Sequence, residues 1–278
     1  MSAIDIIRTD QEIYLATDTA AWDASGVVTG FVPKNFVLPT FPAVLATRGS
    51  AIAPLLLGWA LSSRFANFDE MVDGIEDAMP EIHKAASDDM GGMGFDLILA
   101  GFSSARSGAE TYYMTTIDLE ERGYADAAAA RGSGVIAPEA YKLVRLEDSV
   151  YFMPEIHEAE LAAAGLNERL AGCDRPAAAR ETLRTGLELQ RRKRFAFGGA
   201  DEPINGIGGA AVMATVRATS VVQEVICRWG EDKIGELIDP PPIDWKARRA
   251  AVSQKPDGAQ MSRQQRRYLE RQQRKKRA

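Results

Sequence analysis

Residues 13 to 50 read IYLATDTAAWDASGVVTGFVPKNFVLPTFPAVLATRGS: three short apolar runs, 13–16, 30–38 and 43–46, cut apart by turn residues. Runs of that length, rich in Val, Ile, Phe and Tyr, suit strands of an antiparallel sheet. The spacing predicts three consecutive strands of a meander. Asp18 closes the first run and Lys34 lies inside the second. Arg48-Gly49-Ser50 turns the third into the helical run AIAPLLLGWAL. Charged residues at strand ends, converging near a helix N-terminus, are where a sheet protein builds a site.

The rest of the chain extends this pattern. Residues 3–7 and 12–16 read as a hairpin around Arg8-Thr9-Asp10-Gln11. The segment 51–65 is apolar almost all round, as a helix buried between layers would be. Segment 68–86 places Phe68, Met71, Ile75, Met79 and Ile82 at helical period, with Asp69 and Glu70 near its start. Two strands, 95–101 and 110–117, follow across a polar loop holding Ser103, Ser104 and Ser107. Residues 139–175 read as short helices or an edge structure. A clearer helix spans 175–195, with Asp174 as N-cap, Pro176 in the first turn and Arg191, Arg192, Lys193 and Arg194 in the last. Two closing strands cover 210–218 and 220–228. That order fits an α+β sandwich of two mainly antiparallel sheets between helical layers.

The ends differ in charge. Of the net −6, residues 241–278 contribute +9, from twelve Lys or Arg against three acids, which leaves −15 for residues 1–240. Pro240-Pro241-Pro242 marks the break, so a domain over 1–238 and a basic, solvated tail over 239–278 are expected. The cations Arg263, Arg266, Arg267, Arg271, Arg274, Lys275, Lys276 and Arg277 suit an acidic partner or nucleic acid. At 46% hydrophobic and 26% charged residues, the composition is that of an ordinary globular protein. No run is long enough to cross a bilayer, and MSAIDIIRTDQ lacks the blocks of a signal peptide, so no membrane role is expected. Two distant cysteines, Cys173 and Cys227, make no disulfide framework, and a reducing cytoplasm is the default. His83 and His157 lack metal-ligand spacing. Asn205-Gly-Ile-Gly-Gly fails the GxGxxG pattern and precedes a strand, so neither metal nor cofactor is expected.

Spacing within the first stretch also carries a resemblance. Ser2 to Asp18 is sixteen residues, Asp18 to Lys34 is sixteen again, and Gly49 lies fifteen further on. With FDLILAG at 95–101 and Gly132-Ser133-Gly134 beyond, the chain resembles proteasome β-type subunits, which are N-terminal-nucleophile (Ntn) hydrolases. The likeness covers roughly residues 2–230 and is firmest in 2–50 and 95–134. It implies a four-layer αββα sandwich, assembly as a homo-oligomer through helical faces, and cleavage of a peptide or amide substrate. It also implies roles: Ser2 as nucleophile after loss of Met1, Asp18 and Lys34 behind it, Gly49 at the oxyanion hole, and Ser133 handling the proton. The chemistry is coherent. A free α-amine has a pKa of about 7.7–8.0 and can accept the proton of its own hydroxyl. A nearby Lys34 cation keeps that amine basic, Asp18 anchors the cation, and the Gly49 N–H receives an oxyanion.

Two residues depart from the family's Asp-x-x-Ser-Gly-Gly. Asn205 lacks the charge and Gly208 the hydroxyl. These departures motivate the alternative, a catalytically inactive scaffold or assembly protein that uses its basic tail to hold a partner.

Overall fold

The computed structural model describes residues 2–117, 139–170, 176–196 and 202–248. Strands are β1 (Ile4–Arg8), β2 (Ile13–Thr17), β3 (Ala20–Trp22), β4 (Val28–Phe31), β5 (Asn35–Val37), β6 (Ala43–Arg48), β7 (Asp96–Ser103) and β8 (Gly108–Thr115). Then follow β9 (Val144–Arg145), β10 (Val150–Met153), β11 (Arg194–Phe195), β12 (Ile204–Asn205), β13 (Ala210–Arg217) and β14 (Ser220–Arg228). Helices are α1 (Ala53–Arg64), α2 (Phe68–Ala86), α3 (Glu158–Ala164), α4 (Leu166–Leu170) and α5 (Pro176–Gln190).

One five-stranded sheet runs β10-β1-β2-β13-β14 and another β5-β6-β7-β8-β9. All their pairings are antiparallel. Ile4, Ile6, Ile13 and Leu15 from the first meet Val44, Ala46, Ile98 and Ala100 from the second in a buried core between them. α1 and α2 cover the outer face of the second sheet. α5 lies on the outer face of the first, through Ala179, Leu183 and Leu187.

Helix α2 shows how strongly burial decides. Its interior Pro80 removes a helical hydrogen bond, which costs ~3 kcal/mol. Phe68, Met71, Ile75, Met79 and Ile82 are all buried, at roughly 1.5–3 kcal/mol each, and outweigh that cost. Asn67 caps the start by accepting from the Glu70 N–H at 2.9 Å.

Several expectations are corrected. In place of a plain four-layer stack of two sheets between helical layers, the described residues form four sheets, two of five strands and two of two, with five helices. Of the small sheets, β3-β4 forms where an Asx turn at Asp23 folds β3 onto β4, and β11-β12 where the segment after α5 pairs with the one before β13. Helical cover of the first sheet is partial: α3 and α4 are short, and β14 is largely exposed. The predicted meander is likewise divided. β2 belongs to the first large sheet, β3 and β4 to their own hairpin, and β5 and β6 to the second large sheet. Pro33 breaks the second run, so Lys34 sits just before β5 and not within a strand.

α1 is not buried all round, since Leu55 and Trp59 are 46% and 58% exposed. Between 139 and 175 both expected kinds of structure occur: β9 and β10 occupy sheet edges, and helix begins only at Glu158. α5 ends at Gln190, short of the expected 195, so Arg191, Arg192, Lys193 and Arg194 lie beyond it and not in its last turn, and Arg191 is buried. Of the expected tail, 249–278 lie outside the described residues, while Trp245 packs against the cluster around Ile156 and Leu189. Among the described residues no helix is long and apolar enough to cross a membrane.

Candidate functional site

Asp18 follows directly on β2, with no exposed surface, and its carboxylate accepts five hydrogen bonds. Lys34 Nζ donates to both oxygens at 2.8 Å. The Ala3 N–H donates to Oδ1 at 3.0 Å, and the N–H groups of Ala20 and Gly208 donate to Oδ2 at 3.2 Å each. Three distant parts of the chain, its start, the turn before β5 and the turn before β13, meet on one carboxylate. Burial pushes the Lys34 ammonium below its usual range, against the pull of Asp18 and helped by Arg48.

The backbone explains the convergence. Antiparallel register pairs Ile4 with Thr17, which brings the first residues of β1 beside the end of β2. The Thr47 N–H donates to the Lys34 carbonyl at 3.0 Å, which ties the end of β6 to the same place. Gly49 follows at φ +136°, a conformation that favours glycine. A Cβ there would lie 2.8 Å from the Gly94 carbonyl oxygen. Ser2, one residue before the N–H that Asp18 binds, is 5% exposed. Of the five residues expected in the site, Ser2, Asp18, Lys34 and Gly49 stand at this one end of the sheets, and Ser133 lies outside the described residues.

The two departures have structural causes. Asn205 Nδ2 donates to the carbonyls of Arg191 at 3.0 Å and Lys193 at 3.2 Å, a task an aspartate cannot perform. At Gly208 a Cβ would fall 2.5 Å from Asp232 Oδ2 and 2.8 Å from Arg191 Nη1. Position 208 has no room for a hydroxyl-bearing side chain.

Sequence reasoning missed three neighbours. Asn35 bridges the two large sheets, donating to Thr17 Oγ1 at 3.3 Å and the Val212 carbonyl at 3.2 Å and accepting from Gln223. Thr19 Oγ1 accepts the Ala210 N–H at 2.9 Å. Asp232 accepts the Gly209 N–H at 2.6 Å. Adjacency to Lys34 and to Asp18 is the one signal that marks Asn35 and Thr19; Asp232 has none, because its partners are far away in sequence. Among the described residues no cluster of His, Cys, Asp or Glu has the make-up of a metal site. His83 instead meets the Tyr141 hydroxyl at 2.9 Å.

No family model matches the chain, and no curated protein matches it. Among solved structures, that of a Gly-1 mutant of Anbu from Hyphomicrobium sp. strain MC1 matches with a TM-score of 0.54 at 11% identity. The match covers 93% of this chain and 99% of that one. The likeness is one of fold. It corrects the expected membership of the proteasome β-subunit family: at 11% identity, and without a matching family model, the likeness to Anbu shows the architecture alone.

Proposed function

We propose that the protein hydrolyses amide bonds with the Ser2 hydroxyl as nucleophile, once processing makes Ser2 the first residue. Its α-amine takes the hydroxyl proton as Oγ attacks the carbonyl carbon, and the developing oxyanion is received by the Gly49 N–H. The C–N bond then breaks, the leaving amine takes the proton, and water cleaves the resulting ester. Asp18 and Lys34 hold the charge that keeps the amine basic, and Ser133 relays the proton in the same reading. One observation carries it. The Ala3 N–H and the Lys34 ammonium share the Asp18 carboxylate, at 3.0 Å and 2.8 Å, so the start of the chain lies beside a buried ion pair. The fold shared with the Anbu structure is compatible with this reading at the level of architecture.

Intact mass before and after a hydroxyl-directed covalent inhibitor tests this reading. The expected result is a mature chain beginning at Ser2, with one adduct that Ser2→Ala loses along with hydrolysis of model peptides. A retained Met1, or a Ser2→Ala protein as active as wild type, removes the reading. A cytoplasmic location and assembly of several copies through the exposed Leu55 and Trp59 belong to the same proposal. Asn205 and Gly208 favour a second reading, a non-catalytic assembly component that captures an acidic partner through the cations beyond residue 248. Deleting 249–278 then abolishes capture, and unchanged capture excludes it.

A further inference from the structure

Gly208 is gripped from two sides. On one side its N–H donates to Asp18 Oδ2 at 3.2 Å, and its carbonyl accepts from the N–H groups of Thr19 and Ala20 at 3.1 Å each. On the other side Arg191 and Asp232 form a bidentate pair at 2.5 Å and 2.5 Å, with side chains 0% and 1% exposed. This pair holds the backbone immediately flanking Gly208. Arg191 Nη1 donates to the Ile207 carbonyl at 3.2 Å, and Asp232 Oδ2 accepts the Gly209 N–H at 2.6 Å. Trp229 completes the grip: its ring lies 4.9 Å from the Arg191 guanidinium, and its backbone N–H donates to the Gly209 carbonyl at 2.9 Å.

We infer that the buried Arg191–Asp232 pair is a positioning device for the Asp18–Lys34 site, holding the Gly208 N–H on the Asp18 carboxylate. Stability alone does not account for such a pair. Burying two charges carries a desolvation cost that their attraction need not repay, and apolar residues of the same volume are often as stable or more so. Apolar residues cannot grip the Ile207 carbonyl and the Gly209 N–H together. The fit also has no slack, since even a methyl at 208 would press on the Asp232 carboxylate. Arg191 and Asp232 thus act on Asp18 through the peptide units on either side of Gly208, without touching it. Part of the test rests on the hydrolase reading and part does not.

Asp232→Asn keeps the shape and removes the buried one of the two acids on Arg191, leaving Glu231, whose Oε1 accepts from Nη2 at 3.1 Å. Its kcat for a model peptide is expected to fall roughly 10-fold or more with KM within about 2-fold, the pattern of an interaction used in the transition state. The NMR titration of a 13C-labelled Lys34 ε-carbon should be displaced in the same variant. Gly208→Ala keeps both charges but pushes the turn off Asp232. The same two changes are expected of it, and it decides the question if Asp232→Asn does not fold by circular dichroism. A folded variant with kcat and Lys34 titration both unchanged overturns the inference. If the wild-type protein cleaves no amide substrate, the hydrolase reading falls, and the Lys34 titration still decides whether the pair positions the site.

Discussion

Asp18 and Asp5 lie on the same sheet, both without exposed surface, and are treated in opposite ways. At the strand ends Asp18 takes five hydrogen bonds, two of them from an ammonium. In the middle of β1, beneath α5, Asp5 takes one side-chain bond, from Gln190 Nε2 at 2.7 Å, and its Oδ2 has no hydrogen-bond partner among the described residues. Burial pushes the Asp5 carboxyl well above its ordinary 3.8, opposed by Gln190 and the Met153 backbone and helped by the charge of Asp18. A buried carboxylate is stable where the backbone brings it donors, and favours its neutral form where it does not.

The same substitution should therefore act in opposite directions at the two places. Asp18→Asn leaves Lys34 buried without a counter-charge, and the expected loss is about 3–5 kcal/mol, read as a fall in the urea midpoint. A variant as stable as wild type would mean that the two carboxylates do not differ. Gln190→Leu takes the one side-chain donor from Asp5 and also frees the Pro154 carbonyl that Gln190 binds at 2.8 Å; a loss of about 1–3 kcal/mol is expected, read from the same urea midpoint.

Asp5→Asn should stabilise by about 1 kcal/mol at pH 7, by removing a group whose charged form has no home. The sign in pH follows from linkage. Asp5 holds its proton more tightly folded than unfolded, so its contribution is intact below the unfolded carboxylate value and is lost as pH rises through the folded one. The advantage of Asp5→Asn should thus be close to nil near pH ~3 and widen upward, measured as paired denaturant midpoints. An advantage that shrinks with rising pH would contradict the raised value. The smallest effect belongs far from both carboxylates: Ile234→Ala, at a position 64% exposed after β14, should change stability by about 0.5 kcal/mol or less in thermal unfolding.

Much of the first fifty residues was legible because strands and turns announce themselves locally. β1, β2 and β6 stand where alternation and turn residues put them, and α2 spans the residues its apolar period marked. Where the strands go was not legible: neighbours in sequence are distributed over three sheets, and pairing partners such as β2 and β13 lie almost two hundred residues apart. Ser2, Asp18 and Lys34 were named from a resemblance in spacing; what the structure adds is that two hairpin-like returns of the chain bring Ala3, Asp18 and Lys34 together. Arg191 and Asp232 carried no such mark, and within its run Arg191 looked like any helix-end cation.

The chain alone determined which residues alternate, which turn, and that an acid closes the first strand run, because those properties depend on near neighbours. Tertiary structure decided which carboxylate is satisfied, which arginine is buried, and why positions 205 and 208 have an amide and no side chain. Hydrogen bonds and excluded volume at those positions come from segments that only folding brings within a few ångströms.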